Sequence, residues 1–404
     1  MTEERYLLIC NTSDGLIAQI NGVVTQLQFA RRTGLVPIVY LHQRSNMFGG
    51  PNPYFDAEQG GNVWDYYFEP IGVSGQDLER LVAGGRVLTL STASELQRLF
   101  RWEPESWYMN PFGYYRSVVN RADGPYPETW WQEQRDRARP FLSDGTIRFR
   151  RSILAQVEAF AAAKFADHTL GLQLRGSDKF DFGVGPNLSR KIVPEEYFPH
   201  IDRYLAAHPD CTRIFVATDQ RQWLKVLEAA YPDHVISYSE ISLSDSDDNS
   251  FNRQDKKAAR GGEVLCDMLL LSRCRHLIKC HAAVGEMALV LNRDLPFLDL
   301  NYAEQPMIAR SRPARLIAAP LIWLAARIWS IVARKGLALD PVVSIDGSEI
   351  RVGKGKGRSI NTRTGATEFA ARAPVFSKRF VSDGFDWLLR KLGGLCFGYA
   401  PRGS

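Results

Sequence analysis

Apolar runs typical of β-strands alternate with helical patterns in two parts of this chain, and no other feature restricts the fold as much. At the start, strand-like runs at 6–10 and 36–41 flank a helical pattern over 17–32, and Gly34 follows where helices usually end. Strands joined through a helix pair in parallel, with the helix packed on one face of the sheet. This part of the sequence therefore predicts a Rossmann-like α/β domain.

The same alternation returns in the second part, after a helical pattern over 148–164. Its strand-like runs lie at 169–174, 213–218, 235–238 and 276–280, and its helical patterns at 194–207, 223–231, 263–272 and 284–291. The polar segment 242–262 predicts a mobile loop. We therefore expect two Rossmann-like domains, residues 1–150 and 151–305, followed by a basic amphipathic, helical or irregular extension over 306–404.

A charged turn, RGSDK, directly follows the strand-like run at 169–174. Ligands of α/β proteins bind at the carboxyl ends of the strands. The planar fork of Arg175 and the point charge of Lys179 suit a phosphate or diphosphate there. Asp178 is suited either to hold Arg175 or to accept hydrogen bonds from a sugar or base. A solvated turn with a local ion pair explains the same residues, so the pattern alone leaves both interpretations open.

Polar residues at two further element ends also suit a ligand. Thr218 and Asp219 end the next strand-like run, where an aspartate either bonds sugar hydroxyls or caps the following helix. Gln19, Asn21 and Gly22 lie at the start of the first helical pattern, where they either meet a ligand or serve as helix capping residues. We expect both groups to lie at a ligand site.

One carboxylate, Asp267, interrupts the apolar helical run VLCDMLLL. A buried carboxylate needs partners, so we expect Asp267 to pair with Arg175 or Lys179 or to cap a loop. The segment SDSDD contains a D-x-D at Asp245 and Asp247, but its polar surroundings favour loop solvation over metal binding. We therefore predict neither a bound metal ion nor a cofactor.

Composition limits the class of partner and the compartment. A net charge of +5 over 404 residues is too small for a nucleic-acid binder, and the six cysteines show no metal-binding spacing, which favours a reduced compartment. The start, MTEERYLLIC, resembles neither a signal peptide nor an anchor. The helical pattern over 321–334, with Trp323 and Trp329, fits an interfacial membrane helix or a helix packed across both domains. We expect a cytoplasmic protein, with peripheral contact to the inner face of a membrane through 306–335 under the first interpretation.

Several of these motifs together resemble one enzyme family. RGSDK after an apolar strand, ATD after the next strand and GGEVLCDMLLLS before a final strand resemble the α-1,6-fucosyltransferase and nodulation fucosyltransferase family. AQINGVV and NVWDYYFEPI in the first part are similar to it as well, and the likeness covers residues 5–305. The resemblance implies the GT-B-like fold shared with protein O-fucosyltransferases. It also implies inverting, metal-independent transfer from GDP-fucose to a glycan, glycolipid or peptide.

The resemblance assigns roles within the charged turn. Arg175 and Lys179 would hold the donor diphosphate and stabilise it as a leaving group, with Asp178 organising them and Gly176 in the same loop. Asp181 is a candidate for the general base that takes the acceptor proton.

The resemblance also assigns roles to residues at the other strand ends. Thr218 and Asp219 would lie near the nucleotide, and Asp267 would contact guanine or support a loop. His281 is a second candidate base and lies where the family carries a Ser-Ser region.

The sequence departs from the family at two further positions. The histidine before the arginine is Gln173 here, and the second arginine of the nodulation enzymes is Gly176. Two alternatives therefore stay open. One is a non-catalytic nucleotide-sugar-binding protein on the same fold, and the other is a transferase that uses another nucleotide donor, such as a sulfotransferase.

Overall fold

The structure of the protein is a computed structural model. It describes residues 4, 6–10, 15–45, 52–73, 75–85, 87–88, 128–176, 191–245, 255–280 and 282–303, and the short segments 307–309, 341–346, 349–354 and 397–399.

A three-stranded parallel sheet in the order β2-β1-β4 forms the first part of the fold. The elements of this part are β1 (Tyr6–Ile9), α1 (Leu16–Thr33), β2 (Val36–Val39), β3 (Arg44–Ser45), α2 (Trp64–Tyr67), α3 (Gly75–Ala83) and β4 (Val87–Leu88). Tyr6 pairs with both Val36 and Val87, so β1 is the central strand. Helix α1 ends at Gly34, whose φ of 69° is in the left-handed region, as the predicted helix stop requires.

A five-stranded parallel sheet in the order β7-β6-β5-β8-β9 forms the second part. The elements of this part are α4 (Glu128–Ser143), α5 (Arg151–Lys164), β5 (Thr169–Gln173), a 3-10 turn (Pro194–Glu196), α6 (Phe198–Ala207), β6 (Arg213–Ala217), α7 (Arg221–Ala230), β7 (Val235–Ile236), α8 (Lys257–Leu271), β8 (His276–Lys279), α9 (Ala283–Leu291), β9 (Phe297–Asp299) and α10 (Leu300–Ala303). Gln173 pairs with both Ala217 and Lys279, so the carboxyl ends of β5, β6 and β8 lie at one edge.

Strand β5 is buried on both faces, as expected for a parallel sheet that helices cover on both sides. Leu170 and Leu172 pack in one apolar cluster with side chains of α6 and α7. Gly171 faces the other side, where a Cβ atom would lie 2.9 Å from Cys274 Sγ and 3.3 Å from Leu271. The missing side chain at 171 therefore lets the end of α8 approach the strand closely.

The two parts of the fold contact each other through α8 and through α4. Tyr67 Oη donates a hydrogen bond to Ala258 O (2.8 Å), and Gly261 lies directly against Tyr67, where a Cβ atom would be 2.7 Å from Cζ. Helix α4 contacts α1 of the first part, where Gln28 Nε2 donates to Arg137 O (3.2 Å), and it also contacts α9, where Arg135 Nε donates to Glu286 (2.9 Å). Glu286 also accepts from the fully buried Lys279 Nζ (2.5 Å). The helices beside the second sheet are thus joined to both parts.

Two predicted helix boundaries differ from the structure. The helical pattern from residue 148 forms a helix only from Arg151, because Arg148 O accepts from Glu69 N (2.8 Å) and Arg150 N donates to Tyr67 O (2.8 Å). Helix α8 starts earlier than predicted, so residues 257–262 are helical and are not part of a mobile loop. The prediction of one mobile loop over 242–262 is wrong at that end.

Only short strands are described beyond α10. They are β10 (Met307–Ala309), β11 (Pro341–Asp346), β12 (Glu349–Lys354) and β13 (Phe397–Tyr399). β11 pairs with β12, which continues to β3, and β10 pairs with β13. The helix predicted over 321–334 lies outside the described residues. Among the helices that the structure does describe, none combines the length and the apolar character that crossing a membrane requires.

Candidate functional site

The candidate site begins where β5 and β6 end side by side. Leu174 N donates to Ala217 O (2.9 Å), which continues the strand pairing beyond Gln173. Arg175 and Gly176 therefore emerge next to Thr218 and Asp219, at the edge where α/β proteins bind ligands. The structure brings these predicted residues together.

The Asp219 carboxylate connects the two strand ends. Its Oδ1 accepts the Gly176 main-chain N–H (2.9 Å), and its Oδ2 lies 3.3 Å from Arg175 Nε. The Asp219 side chain is 8% exposed and the Arg175 side chain 23% exposed, so the carboxylate is buried behind a guanidinium that reaches solvent. The alternative that Asp219 caps the next helix is wrong, because the N-cap of α7 is Gln220 and has no side-chain cap bond.

Four predicted site residues lie outside the described residues. They are Asp178, Lys179, Asp181 and His281. Their roles stay predictions. Asp178, in the turn after β5, is the residue expected to orient Arg175. Among the described residues, Arg175 pairs with Asp219, which follows β6.

The absence of a side chain at Gly176 has a steric cause. A Cβ atom there would lie 2.8 Å from Gln220 Cγ and 2.9 Å from Trp223 Cη2. The Trp223 ring also carries the Lys191 ammonium 5.5 Å from its centroid, within the range of a cation–π contact. Gln220 and Trp223 therefore fill the space beside the Gly176 main chain.

Gln173, the other departure from the family, is buried and 2% exposed. Its Oε1 accepts from Cys280 Sγ (3.7 Å) and lies 3.1 Å from where a Gly285 Cβ would be, while its main-chain O accepts from Tyr197 Oη (2.8 Å). The side chain therefore packs under α9. Burial raises the pKa of Tyr197 well above its usual value, so its hydroxyl stays neutral and donates.

The start of α1 is joined to the 52–54 segment. Gln19 and Asn52 exchange side-chain amide hydrogen bonds (3.3 and 3.2 Å), and both side chains are 1% exposed. Tyr54 Oη accepts the Leu16 N–H (3.1 Å). The predicted ligand roles of Gln19, Asn21 and Gly22 stay predictions, and the described bonds of Gln19 hold the segment.

Tyr54 and Arg260 interact electrostatically near Arg175, and neither was among the site residues predicted from the sequence. Burial raises the pKa of Tyr54, and the Leu16 bond and the nearby charges of Arg175 and Arg260 partly offset that rise. The charges of both guanidinium groups therefore act on the Tyr54 hydroxyl, and Arg260 is 2% exposed. No strand end or periodicity marks Arg260 in the sequence AARGG, so only the fold reveals it.

Asp267 is bonded to the segment after β7, and the site roles expected for it stay predictions. Its Oδ2 accepts from Ser239 Oγ (2.5 Å), and its Oδ1 is buried without a hydrogen-bond partner among the described residues. Burial raises its pKa well above the usual value, and the charge of Glu263 adds to that rise, while the Ser239 bond opposes it. Its described bond is thus not to Arg175.

Among the residues that the structure describes, no three His, Cys, Asp or Glu side chains are grouped so that they could hold a metal ion. Asp245, of the D-x-D sequence, accepts from Arg221 Nε (2.8 Å), and both side chains are exposed. Asp247 lies outside the described residues.

Comparison with known proteins gives structural neighbours only, because no family profile and no curated protein sequence matches the chain. The fucosyltransferase NodZ from Bradyrhizobium is similar at 15% identity over 74% of this chain and 96% of NodZ, with a TM-score of 0.44. NodZ α-1,6-fucosyltransferase soaked with GDP-fucose is 16% identical over 78% and 97% (TM-score 0.40). POFUT1 in complex with GDP-fucose is 13% identical over 74% and 98% (TM-score 0.38).

Proposed function

We propose that the chain is a fucosyltransferase that transfers fucose from GDP-fucose to a glycan or glycolipid acceptor. The observation that carries the proposal is the Asp219 carboxylate, which fixes the Arg175 guanidinium and the Gly176 loop at the carboxyl edge of the second sheet. A guanidinium at that edge suits a diphosphate. The motif resemblance supports GDP-fucose as the donor, on a GT-B-like pair of Rossmann-like domains divided near residues 150 and 305.

The proposed reaction is an inverting displacement without a metal ion. The acceptor oxygen forms a bond to fucose C1, and the bond from C1 to the β-phosphate oxygen breaks, so that its electron pair leaves with GDP. The acceptor proton goes to a general base, for which Asp181 and His281 are the candidates. The negative charge that develops on the leaving diphosphate is stabilised by Arg175, and by Lys179 in this proposal.

The proposed setting is the cytoplasm. The sequence of 306–335, with Trp323, Trp329 and flanking arginines, supports peripheral contact with the inner face of a membrane, where a lipid-linked acceptor is available. Membrane partitioning of the full chain, compared with a variant that carries Trp323→Ser and Trp329→Ser, tests this contact.

The first test of the donor site is a thermal-shift titration with GDP and GDP-fucose. A ligand that binds the native state raises the melting temperature. We expect both nucleotides to do so, and we expect Arg175→Ala to weaken binding about a hundredfold because it removes the diphosphate contact. The control is Arg273→Ala, an arginine that pairs with Glu158 (2.5 Å) away from the site. Unchanged binding in Arg175→Ala would contradict the proposal.

A non-catalytic nucleotide-sugar-binding protein is the second candidate. The filling of the Gly176 position by Trp223 and the burial of Gln173 favour it, since the side chains that the family places there are absent. Release of GDP from GDP-fucose in the presence of glycan acceptors separates the two candidates, because only the transferase releases it.

A further inference from the structure

One carboxylate on α8 holds the loop over residues 239–245, which follows β7. Glu263 accepts main-chain N–H groups from three consecutive residues: Glu240 (3.2 Å to either oxygen), Ile241 (3.1 Å) and Ser242 (2.7 Å). Hydrogen bonds to a charged acceptor are stronger than bonds between neutral groups. Glu263 therefore fixes the main-chain conformation of the 239–245 loop.

The far end of the 239–245 loop is bonded to the candidate site. Ser244 N donates to Asp219 O (2.8 Å), Arg221 N donates to Ser244 O (2.9 Å), and Arg221 Nη2 donates to Glu240 O (3.1 Å). The side chain of the same Asp219 holds Arg175. A continuous series of hydrogen bonds thus runs from Glu263 through the loop to the proposed diphosphate site.

The 239–245 loop also lies at the right distance from that site. It follows β7, and β6 separates β7 from β5 in the sheet. Because neighbouring strands are about 4.8 Å apart, the loop begins about 10 Å from the end of β5, which is on the order of the length of a nucleoside diphosphate. A diphosphate bound at Arg175 can therefore extend its nucleoside to this loop.

The opposite direction along the edge offers less to a ligand. Strand β9 runs directly into α10, and the Asp299 carboxylate at this junction accepts from Lys279 Nζ and from Asn301 N (3.0 Å). Asp299 is 7% exposed. Its oxygens are therefore committed to the interior of the protein, whereas the 239–245 loop presents the exposed residues Glu240 and Asp245 to solvent.

We propose that Glu263 is a positioning residue that builds the nucleoside side of the donor site by holding the 239–245 loop. This inference rests on the proposed function and goes beyond it. Glu263 itself does not contact the ligand. Substitution of Glu263 therefore weakens binding of the nucleoside part of the donor. Binding of the diphosphate part is kept, because Arg175 keeps its own bond to Asp219.

Calorimetric titration of the full chain with GDP and with inorganic pyrophosphate tests this separation. We expect Glu263→Ala to weaken GDP binding at least about tenfold and pyrophosphate binding less than about twofold. Glu263→Gln, which keeps an acceptor oxygen, is expected to recover part of the GDP affinity. The control is Glu158→Ala, which removes an exposed carboxylate that pairs with Arg273 (2.5 Å) and belongs to neither the loop nor the site.

Three outcomes overturn the inference. They are unchanged GDP binding in Glu263→Ala, an equal loss of GDP and pyrophosphate binding, and an equal effect in Glu158→Ala. Failure of the proposed function is distinct, because the wild-type chain then binds neither GDP nor pyrophosphate. Urea unfolding of each variant identifies a loss that comes from unfolding and not from the loop.

Discussion

At the scale of single residues, Asp219 joins two strand ends that are far apart in the chain. We expect Asp219→Asn to weaken GDP binding about tenfold, because the neutral amide no longer holds the guanidinium of Arg175. The amide oxygen can still accept from Gly176 N, so the loop itself is kept. Calorimetry on both single variants and on the double variant measures the coupling. If the residues act together, the double variant binds no more weakly than Arg175→Ala. Additive losses would contradict the link.

Asp267 gives a pH prediction at the same scale. Its pKa is raised in the folded state, so the folded protein retains a proton that the unfolded chain releases above about pH 4. The stability from this proton is therefore lost as the pH rises from about 4 through the folded pKa.

The change that tests this is Asp267→Asn, a neutral mimic. We expect Asp267→Asn to raise the free energy of unfolding by about 1–3 kcal/mol at pH 8. Near pH 4, we expect the variant and the wild-type chain to be equally stable. Urea unfolding between these pH values measures the effect. Asp245→Asn is the control because that carboxylate is 79% exposed. A stabilisation independent of pH would show that the charge is not the cause.

At the scale of elements, the close packing of α8 on β5 depends on Gly171. We expect Gly171→Ala to lower the free energy of unfolding by about 1–3 kcal/mol, because the new Cβ would lie 2.9 Å from Cys274 Sγ. Urea unfolding gives the difference. Adding Cys274→Ala removes the sulfur and is expected to recover part of the loss. If Gly171→Ala has wild-type stability, the strand and helix are not in close contact there.

The elements also show what the sequence could predict and what it could not. Apolar periodicity indicated the parallel sheets, and the charged turn after β5 indicated which edge would carry Arg175. Periodicity is local, however, and does not say that Asp219 would bond Gly176 across two strands. Glu263 gave no signal for a related reason, since its partners are main-chain N–H groups, which every sequence contains.

At the scale of the whole molecule, the two parts of the fold contact each other, and the charge of Arg175 acts on Tyr54 of the first part. The 54–67 segment of the first part lies against α8 of the second, with Tyr67 Oη bonded to Ala258 O (2.8 Å). Tyr54 in turn accepts the Leu16 N–H at the start of α1. We therefore expect the ligand affinity of the candidate site to depend on how the two parts pack.

Two adjacent glycines of α8 allow that dependence to be tested. A Cβ atom at Gly261 would lie 2.7 Å from Tyr67 Cζ and 3.1 Å from Tyr54 Cδ1, whereas one at Gly262 would meet only Ile153, at an ordinary 3.9 Å. We expect Gly261→Ala to lower the free energy of unfolding by about 1–3 kcal/mol through overpacking. In contrast, we expect Gly262→Ala to raise it by about 0.5–1 kcal/mol through helix propensity.

Measurements of ligand affinity show whether the packing between the two parts affects the candidate site as well as the stability. Displacing the two tyrosines moves Tyr54 away from Arg175, so we expect GDP binding to weaken several-fold in Gly261→Ala and to stay unchanged in Gly262→Ala. Urea unfolding and calorimetry on the same samples give both quantities. Adding Tyr67→Phe, which removes the hydroxyl nearest the new methyl group, is expected to return part of the stability. If both glycine variants bind GDP like the wild-type chain, the first part of the fold does not contribute to the donor site, and the second sheet alone carries it.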